Sequence, residues 1–208
     1  MSQDYSYDFV IIGAGMAGAS AAYFLSEIGS VLQLEMEMQP GYHTTGRSAA
    51  LFAEAYGNAP IRALTTGGRD FLINPPDGFS EVPLMTPRGA LFIGREDQLA
   101  SLDEAYEMGS ELLDSMERLS SKEVVELVPV LRESYIAGGV FDTNAMDMDV
   151  NELHQGFLRG SRARSSRLVP RARVESLNYR NGDWQVGAGG ENFVAKVVIN
   201  AAGAWCDE

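Results

Sequence analysis

Cysteine and histidine are scarce in this chain. One cysteine, Cys206, excludes an intrachain disulfide, and with only His43 and His154 as histidines it leaves no recognisable metal-ligand cluster. A free, buried thiol is the ordinary reading of Cys206. No apolar run approaches the ~18 residues that a membrane helix needs. The N-terminal stretch MSQDYSYDFV has neither a basic leader region nor a cleavage site, so the expectation is a cytoplasmic protein with no transmembrane segment. Positive charge is also short, at 16 Lys and Arg against 29 Asp and Glu, and a net charge of −13 repels nucleic acid and anionic membranes as general partners. Seven of those 16 cluster as Arg159, Arg162, Arg164, Arg167, Arg171, Arg173 and Arg180. They read as a solvated helix end and loop, with a phosphate patch as the alternative. What is present is an ordinary globular balance, 45% hydrophobic and 22% charged over 208 residues, enough to bury a substantial core.

The most informative stretch is YDFVIIGAGMAGASAAYFLSEIGSVLQLE, from Tyr7 to Glu35. Phe9 to Ile12 is a short apolar run suited to a strand buried on both faces, and Gly13, Gly15 and Gly18 give G-x-G-x-x-G spacing at the following corner. Gly13 permits the tight turn, Gly15 lets a pyrophosphate approach bare backbone, and Gly18 lets a helix pack closely on the strand. The phosphates would sit at the helix N-terminus, where unpaired N–H groups and the dipole favour an anion. Ala17, Ala21, Phe24, Leu25 and Ile28 recur at a helical period, and Gly29 is placed to close the helix as a left-handed cap. A second strand, Val31 to Glu35, ends in an acid 22 residues after Gly13, where a carboxylate accepts the ribose hydroxyls of an adenine dinucleotide. That acid would repel a 2′-phosphate, which favours FAD or NAD over NADP.

Pro40 and Gly41 then mark a turn into a small, donor-rich loop, Thr44 to Ser48, and Ser48 to Ala55 reads as a helix whose N-terminus faces what the loop holds. Leu64 to Ile73 is an expected helix, NPPDGF a breaker, and MTPRGALFIGR a strand preceded by a turn. The spacing of Leu99, Leu102, Tyr106, Leu112, Leu113 and Met116 predicts one amphipathic helix from about Gln98 to Arg118. Ser120 and Glu123 form a capping box for a short helix ending near Pro129. Leu168 to Glu175, Asp183 to Gly187 and Phe193 to Ile199 read as the strands of a meander, with Asn181-Gly182 a hairpin signal. The last strand ends in Ala201, Ala202 and Gly203, small enough to lie against a ligand. His154 has no carboxylate or nucleophile spaced to work with it and reads as a satisfied packing histidine.

VIIGAGMAGASAAYFL, the acid at Glu35, the HTTGRSAAL loop and VVINAAGAW together resemble the N-terminal part of the D-amino-acid oxidase superfamily of FAD-dependent oxidoreductases, which includes glycine oxidase, sarcosine oxidase and D-amino-acid dehydrogenase. The resemblance implies an α/β fold: a Rossmann-like FAD-binding domain with a β-meander and an inserted, incomplete α+β substrate domain. It sets boundaries at 1–80 and 148–208 for the two FAD-binding segments and 81–147 for the partial substrate domain, with a helix from about Asp149 to Arg162. It implies cofactor contacts from Gly13, Ala14, Gly15, Met16, Ala17 and Gly18, from Glu35 and Met36, and from Thr44, Thr45, Arg47, Ser48 and Ala49. Val174, Ala201, Ala202, Gly203 and Trp205 complete the implied set. The histidine that carries covalent flavin in some relatives aligns near Arg47 or Ser48, so non-covalent FAD is expected despite His43.

The implied activity is oxidation of a D-amino acid, glycine or related amine by hydride transfer to flavin N5, with the electron acceptor unassigned. Related flavoproteins oxidise 2-hydroxy acids or polyol phosphates, and a non-catalytic nucleotide-binding fragment is a further alternative. No catalytic acid or base is assigned. In the family the NAAGAW motif lies little more than halfway along, so the resemblance further implies an N-terminal portion of a longer fold with a half-enclosed cofactor site. Exposed apolar surface would then favour homodimers or aggregation.

Overall fold

The computed structural model describes residues 5–207; residues 1–4, at the start of the stretch read for a leader, and residue 208 lie outside the described residues. In chain order the elements are β1 (Tyr5–Ile12), α1 (Met16–Leu25), β2 (Val31–Leu34), β3 (Leu51–Phe52), α2 (Ala59–Ile73), β4 (Met85–Pro87), β5 (Ala90–Gly94), α3 (Leu99–Ser110) and β6 (Met116–Ser120). There follow α4 (Ser121–Leu127), β7 (Gly138–Asp142), β8 (Met146–Met148), α5 (Val150–Ala163), β9 (Arg167–Val169), β10 (Val174–Arg180), β11 (Asp183–Ala188) and β12 (Glu191–Asn200). Among the described residues no helix is long and apolar enough to cross a membrane.

Two compact units result. The first takes the residues up to Ser48, Asp77–Val82 and those from Val150 on; the second takes Ala49–Pro76 and Pro83–Asp149. The division therefore falls after Ser48, ahead of the expected boundary at residue 80.

In the first unit β1 lies between two parallel neighbours, β2 and β12, and β9 extends the parallel set beyond β2. β11 and β10 continue antiparallel from the other side of β12, giving the order β10-β11-β12-β1-β2-β9. Strands covered on both faces need apolar residues at every position. Accordingly Val10, Leu32 and Leu34 pack with Val186, Phe193 and Ala195 on one face, while Ile11 and Val31 meet Ala22 of α1 on the other. Tyr23 carries α1 onto α5, its ring 5.5 Å from both Phe79 and Phe157 in edge contacts, and Gly160 of α5 leaves the space that ring fills.

Several sequence expectations change here. The buried face of α1 carries Gly18, Ala19, Ala22 and Tyr23, whereas Ala17 and Phe24 face solvent and Ile28 is 75% exposed. The helix packs against α5 as well as the sheet, and the second contact rotates its covered face. Gly29 is no left-handed cap, since α1 ends at Leu25 and Gly29 is absent from the positive-φ positions. Its bareness serves a close approach instead: a Cβ there would lie 2.9 Å from Phe9 Cε2 and 3.0 Å from Asp8 Cβ. The expected strand from Leu168 to Glu175 divides into β9, beside β2, and β10, at the opposite edge. The meander's hairpin turn is as predicted, with Asn181 at φ 55° and Gly182 at φ 93°, the left-handed pair that a type I′ turn requires. Cys206 is free but exposed, not buried.

The second unit holds two antiparallel three-stranded sheets, β3-β8-β4 and β5-β7-β6. The long helix predicted to Arg118 stops at Ser110, because Met116 to Ser120 pair with β7. Met116 still touches α3, a Cβ on Gly109 lying only 2.6 Å from its Cε, so its contact with the helix survives although it belongs to a strand. MTPRGALFIGR forms two strands in different sheets, separated by Gly89 at φ 81°. Ser48 to Ala55 is not helical, since Leu51 and Phe52 pair with Asp147 and Met146 of β8. The capping box is present, Ser120 and Glu123 each accepting the other's backbone N–H.

Gly156 of α5 meets Phe79, and an added Cβ would sit 2.4 Å from its Cε1. Gly156→Val should therefore destabilise the first unit by roughly 1–3 kcal/mol through overpacking. The shift in urea midpoint measures it, and an unchanged midpoint would show that the Phe79 ring moves aside freely.

Candidate functional site

The carboxyl ends of β1, β2 and β12 converge, as ligand sites do in parallel α/β sheets. Gly13 N–H donates to Leu34 O at 2.8 Å and Ala201 N–H to Ile12 O at 2.9 Å, so the three strand ends are bonded to one another up to the turn. Gly13, at φ 98°, would place a Cβ 2.5 Å from Ala201 O, and a Cβ on Gly18 would fall 2.0 Å from Gly13 O. Both glycines are thus set by backbone approach, as their spacing implied.

Polar side chains fix the turn. Glu35, 7% exposed, accepts Ala14 N–H at 2.8 Å through Oε2 and Glu37 N–H at 2.9 Å through Oε1. Gln33, a polar residue inside an otherwise apolar strand, is 1% exposed and donates to Gly13 O at 3.3 Å. Thr45 Oγ1 accepts Met16 N–H at 2.9 Å, which joins the loop after β2 to the first turn of α1. That loop is held by Gly46 N–H on Gly41 O at 2.7 Å and forms a short 3-10 turn over Thr45–Arg47. His154, 3% exposed on α5, bonds through Nε2 to Ala14 O at 2.8 Å; a carbonyl only accepts, so Nε2 carries the proton.

These strand ends and loops border an open cleft of about 190 Å³. Of the expected residues, Gly13, Gly15, Glu35, Met36, Thr44, Thr45, Val174, Ala201, Ala202, Gly203 and Trp205 line it. Ala14, Met16, Ala17 and Gly18 stand outside that lining at the start of α1, with Ala14 and Gly18 buried. Arg47 and Ser48 are exposed and also outside it, the Arg47 guanidinium lying 5.3 Å from the Tyr42 ring centre; Ala49 belongs to the second unit. The helix N-terminus expected at Ser48 is missing with its helix, and that residue is extended (φ −86°, ψ 132°).

Lining residues that the motifs did not single out include Tyr42, His43, Arg173, Leu177 and Asn200. The His43 ring lies 4.5 Å from that of Trp205 in a tilted contact, and its Nε2 is 2.9 Å from Glu37 Oε1. Asn200 accepts Ala202 N–H at 3.2 Å and donates to Cys206 O at 2.8 Å, an Asx-type turn whose signal is Asn ahead of a run of small residues. The arginine-rich stretch does not converge: Arg159 pairs with Glu152, Arg164 with Glu27, Arg167 with Glu191, and Arg173 alone of the seven borders the cleft.

A cleft with a glycine turn at a helix start and an acid closing the neighbouring strand defines a dinucleotide-binding α/β domain. Residues 8–208 match the family model described as FAD dependent oxidoreductase, and the chain belongs to that family. It is 27% identical over 212 residues to YurR of Bacillus subtilis, described as an uncharacterized oxidoreductase, covering 96% of this chain and 56% of YurR. In structure it resembles glycine oxidase from Geobacillus kaustophilus (TM-score 0.86, 18% identity, 97% of this chain and 56% of that one). It also resembles L-alpha-glycerophosphate oxidase from Mycoplasma pneumoniae, solved with FAD bound (TM-score 0.80, 18% identity, 95% and 54%). The chain thus spans little more than half the length of these proteins.

Burial pushes the His154 imidazole below the ordinary histidine pKa, against the opposing pull of Ala14 O and the Glu35 charge. The unfolded chain then binds the proton more readily than the folded one, so this contribution to stability is present above the unfolded value and is lost as pH falls towards the folded one. Acidification from about pH 7 to about pH 5 should lower the unfolding midpoint more in the wild type than in His154→Gln, which has no proton to gain. Parallel pH profiles for the two proteins would contradict this.

Proposed function

We propose that the cleft binds FAD non-covalently and that the protein oxidises an amine or amino acid. One observation carries the reading: bare backbone at Gly15 and the Glu35 carboxylate border the same cleft, at the start of α1. A Cβ on Gly15 would meet Thr45 Oγ1 at 3.2 Å and fill the approach to the turn. Among the described residues the amides of Gly15 and Ala17 have no protein acceptor, the donor set that suits a pyrophosphate. Each Glu35 oxygen already takes one backbone donor and keeps acceptor capacity for ribose hydroxyls. The residues fit the group.

In this reading Gly15 and Ala17 hold the pyrophosphate, Glu35 and Met36 the ribose, and Val174 the adenine edge. Thr44, Thr45, Arg47 and Ser48 lie towards the flavin side, and Ala201, Ala202, Gly203 and Trp205 form the floor. When bound, the flavin supplies the acceptor for a hydride from the substrate Cα. The second unit serves as part of a substrate domain. The similarity to glycine oxidase favours amines and amino acids; the similarity to glycerophosphate oxidase supports a second reading, a polyol phosphate or 2-hydroxy acid. A cytoplasmic location and a homodimer complete the proposal, the one resting on the single cysteine and the other on the open sheet edges at β9 and β10.

Titration of FAD, followed by quenching of its fluorescence, should give saturable binding that Gly15→Val weakens by at least about tenfold, since the branched side chain occupies the pyrophosphate approach. Full affinity in that variant would move the cofactor elsewhere. After acid precipitation of the FAD-loaded protein the flavin should stay in solution; flavin carried down with the precipitate would mean a covalent link. Reduction of an artificial acceptor by glycine or D-amino acids, compared with 2-hydroxy acids and glycerol phosphates, decides between the substrate classes.

A further inference from the structure

We propose that His154 is a positioning residue, which presets the glycine turn for the cofactor by holding the carbonyl of Ala14. The inference rests on the FAD reading of the cleft and assigns the histidine a role within it. Ala14 is fully buried between Gly13 and Gly15, two residues with wide backbone freedom. Both of its backbone groups are taken by side chains from elsewhere in the chain, the N–H by Glu35 and the C=O by His154, each at 2.8 Å. The carbonyl ahead of it, Gly13 O, accepts from Gln33.

A trans peptide points its C=O and N–H in opposite directions. With the Ala14 carbonyl drawn towards α5, the Gly15 N–H in the same peptide unit is turned away from α5 and left available to an anion. The bond is not a substitute for helix formation. The first α1 bond reaching back into the turn runs from Ala19 N–H to Gly15 O at 2.9 Å, one residue beyond Ala14. Without His154, the carbonyl would be a buried acceptor with no partner, and the peptide could rotate to seek one.

The position of the ring is fixed from its other side. Gly41, at φ 74°, would place a Cβ 2.9 Å from His154 Cε1 and 3.2 Å from Nδ1. The loop that carries Gly41 is the one whose Thr45 caps Met16, so the imidazole stands between the two segments that border the cleft. A residue there for packing alone would be apolar; an imidazole is costly to bury, and its Nε2–H is the compensating gain.

Glutamine tests this directly, because its Nε2 lies as many bonds from the backbone as histidine Nε2, whereas asparagine Nδ2 matches only Nδ1. FAD affinity and amide exchange at Ala14, the latter in flavin-free protein, should be compared in the wild type, His154→Gln, His154→Asn and His154→Phe. Glutamine should keep affinity within about threefold, while asparagine and phenylalanine weaken it about tenfold or more, the effect of one buried hydrogen bond. Exchange at Ala14 should quicken in the same two variants and stay at the wild-type rate in the glutamine variant. Equal affinity and equal exchange in the glutamine and asparagine variants would overturn the proposal, and that pair decides it even where phenylalanine prevents folding. Should the wild type bind no FAD, the cofactor reading fails by itself, and the exchange rates alone judge the clamp.

Discussion

Every feature of the cleft depends on β1 being paired in parallel on both sides. A strand so placed ends where its two neighbours end, and all three deliver their last residues to one place. Since parallel neighbours cannot be joined by a tight turn, those residues come from distant parts of the chain: the acid at Glu35 from β2, and the small residues from Ala201 to Gly203 after β12. Gly13 is the point where these constraints meet. Its φ of 98° and the 2.5 Å that a Cβ would leave to Ala201 O exclude any side chain, so the turn is built from backbone.

Backbone so tightly turned exposes donors and acceptors that helix and sheet do not satisfy, and a buried one left alone costs about 1–3 kcal/mol. Gln33, Glu35, Thr45 and His154 answer this in turn. What they leave open is equally specific. The groups they satisfy face the protein; among the described residues the amides of Gly15 and Ala17 have no protein acceptor, and these are the donors on which the proposed pyrophosphate site draws.

Much of this was legible in the sequence because it is local. Gly13, Gly15, Gly18 and Glu35 carry their meaning in their spacing, and Asn181-Gly182 in its dipeptide. Other parts were not, for physical reasons that differ from case to case. Ser48 to Ala55 has helical composition, but Leu51 and Phe52 are claimed by β8, almost a hundred residues on, and that pairing overrides propensity. Met116 fits the period of α3 and does touch that helix, yet it lies on a strand. Gln33 drew no notice in the sequence, because its partner is a backbone carbonyl, which leaves no trace there. His154 was read as a packing histidine, which holds as far as it goes; the identity of its partner, 140 residues earlier, needed the fold.

The register between β1 and β12 also bears on how the molecule assembles. Lys196 reaches Asp8 across 188 residues, and the same ladder pairs Tyr5 with Phe193. Contacts this distant close late and slowly, since the entropy of a long loop is lost before any pairing offsets it. On the ribosome β1 emerges well before β12, with one of its two edges waiting for a strand not yet made. In that interval β1 is an apolar strand with an unpaired edge, the species most open to wrong pairing and to chaperone capture. The cleft, which the end of β12 lines, therefore closes only once that distant pairing has been made.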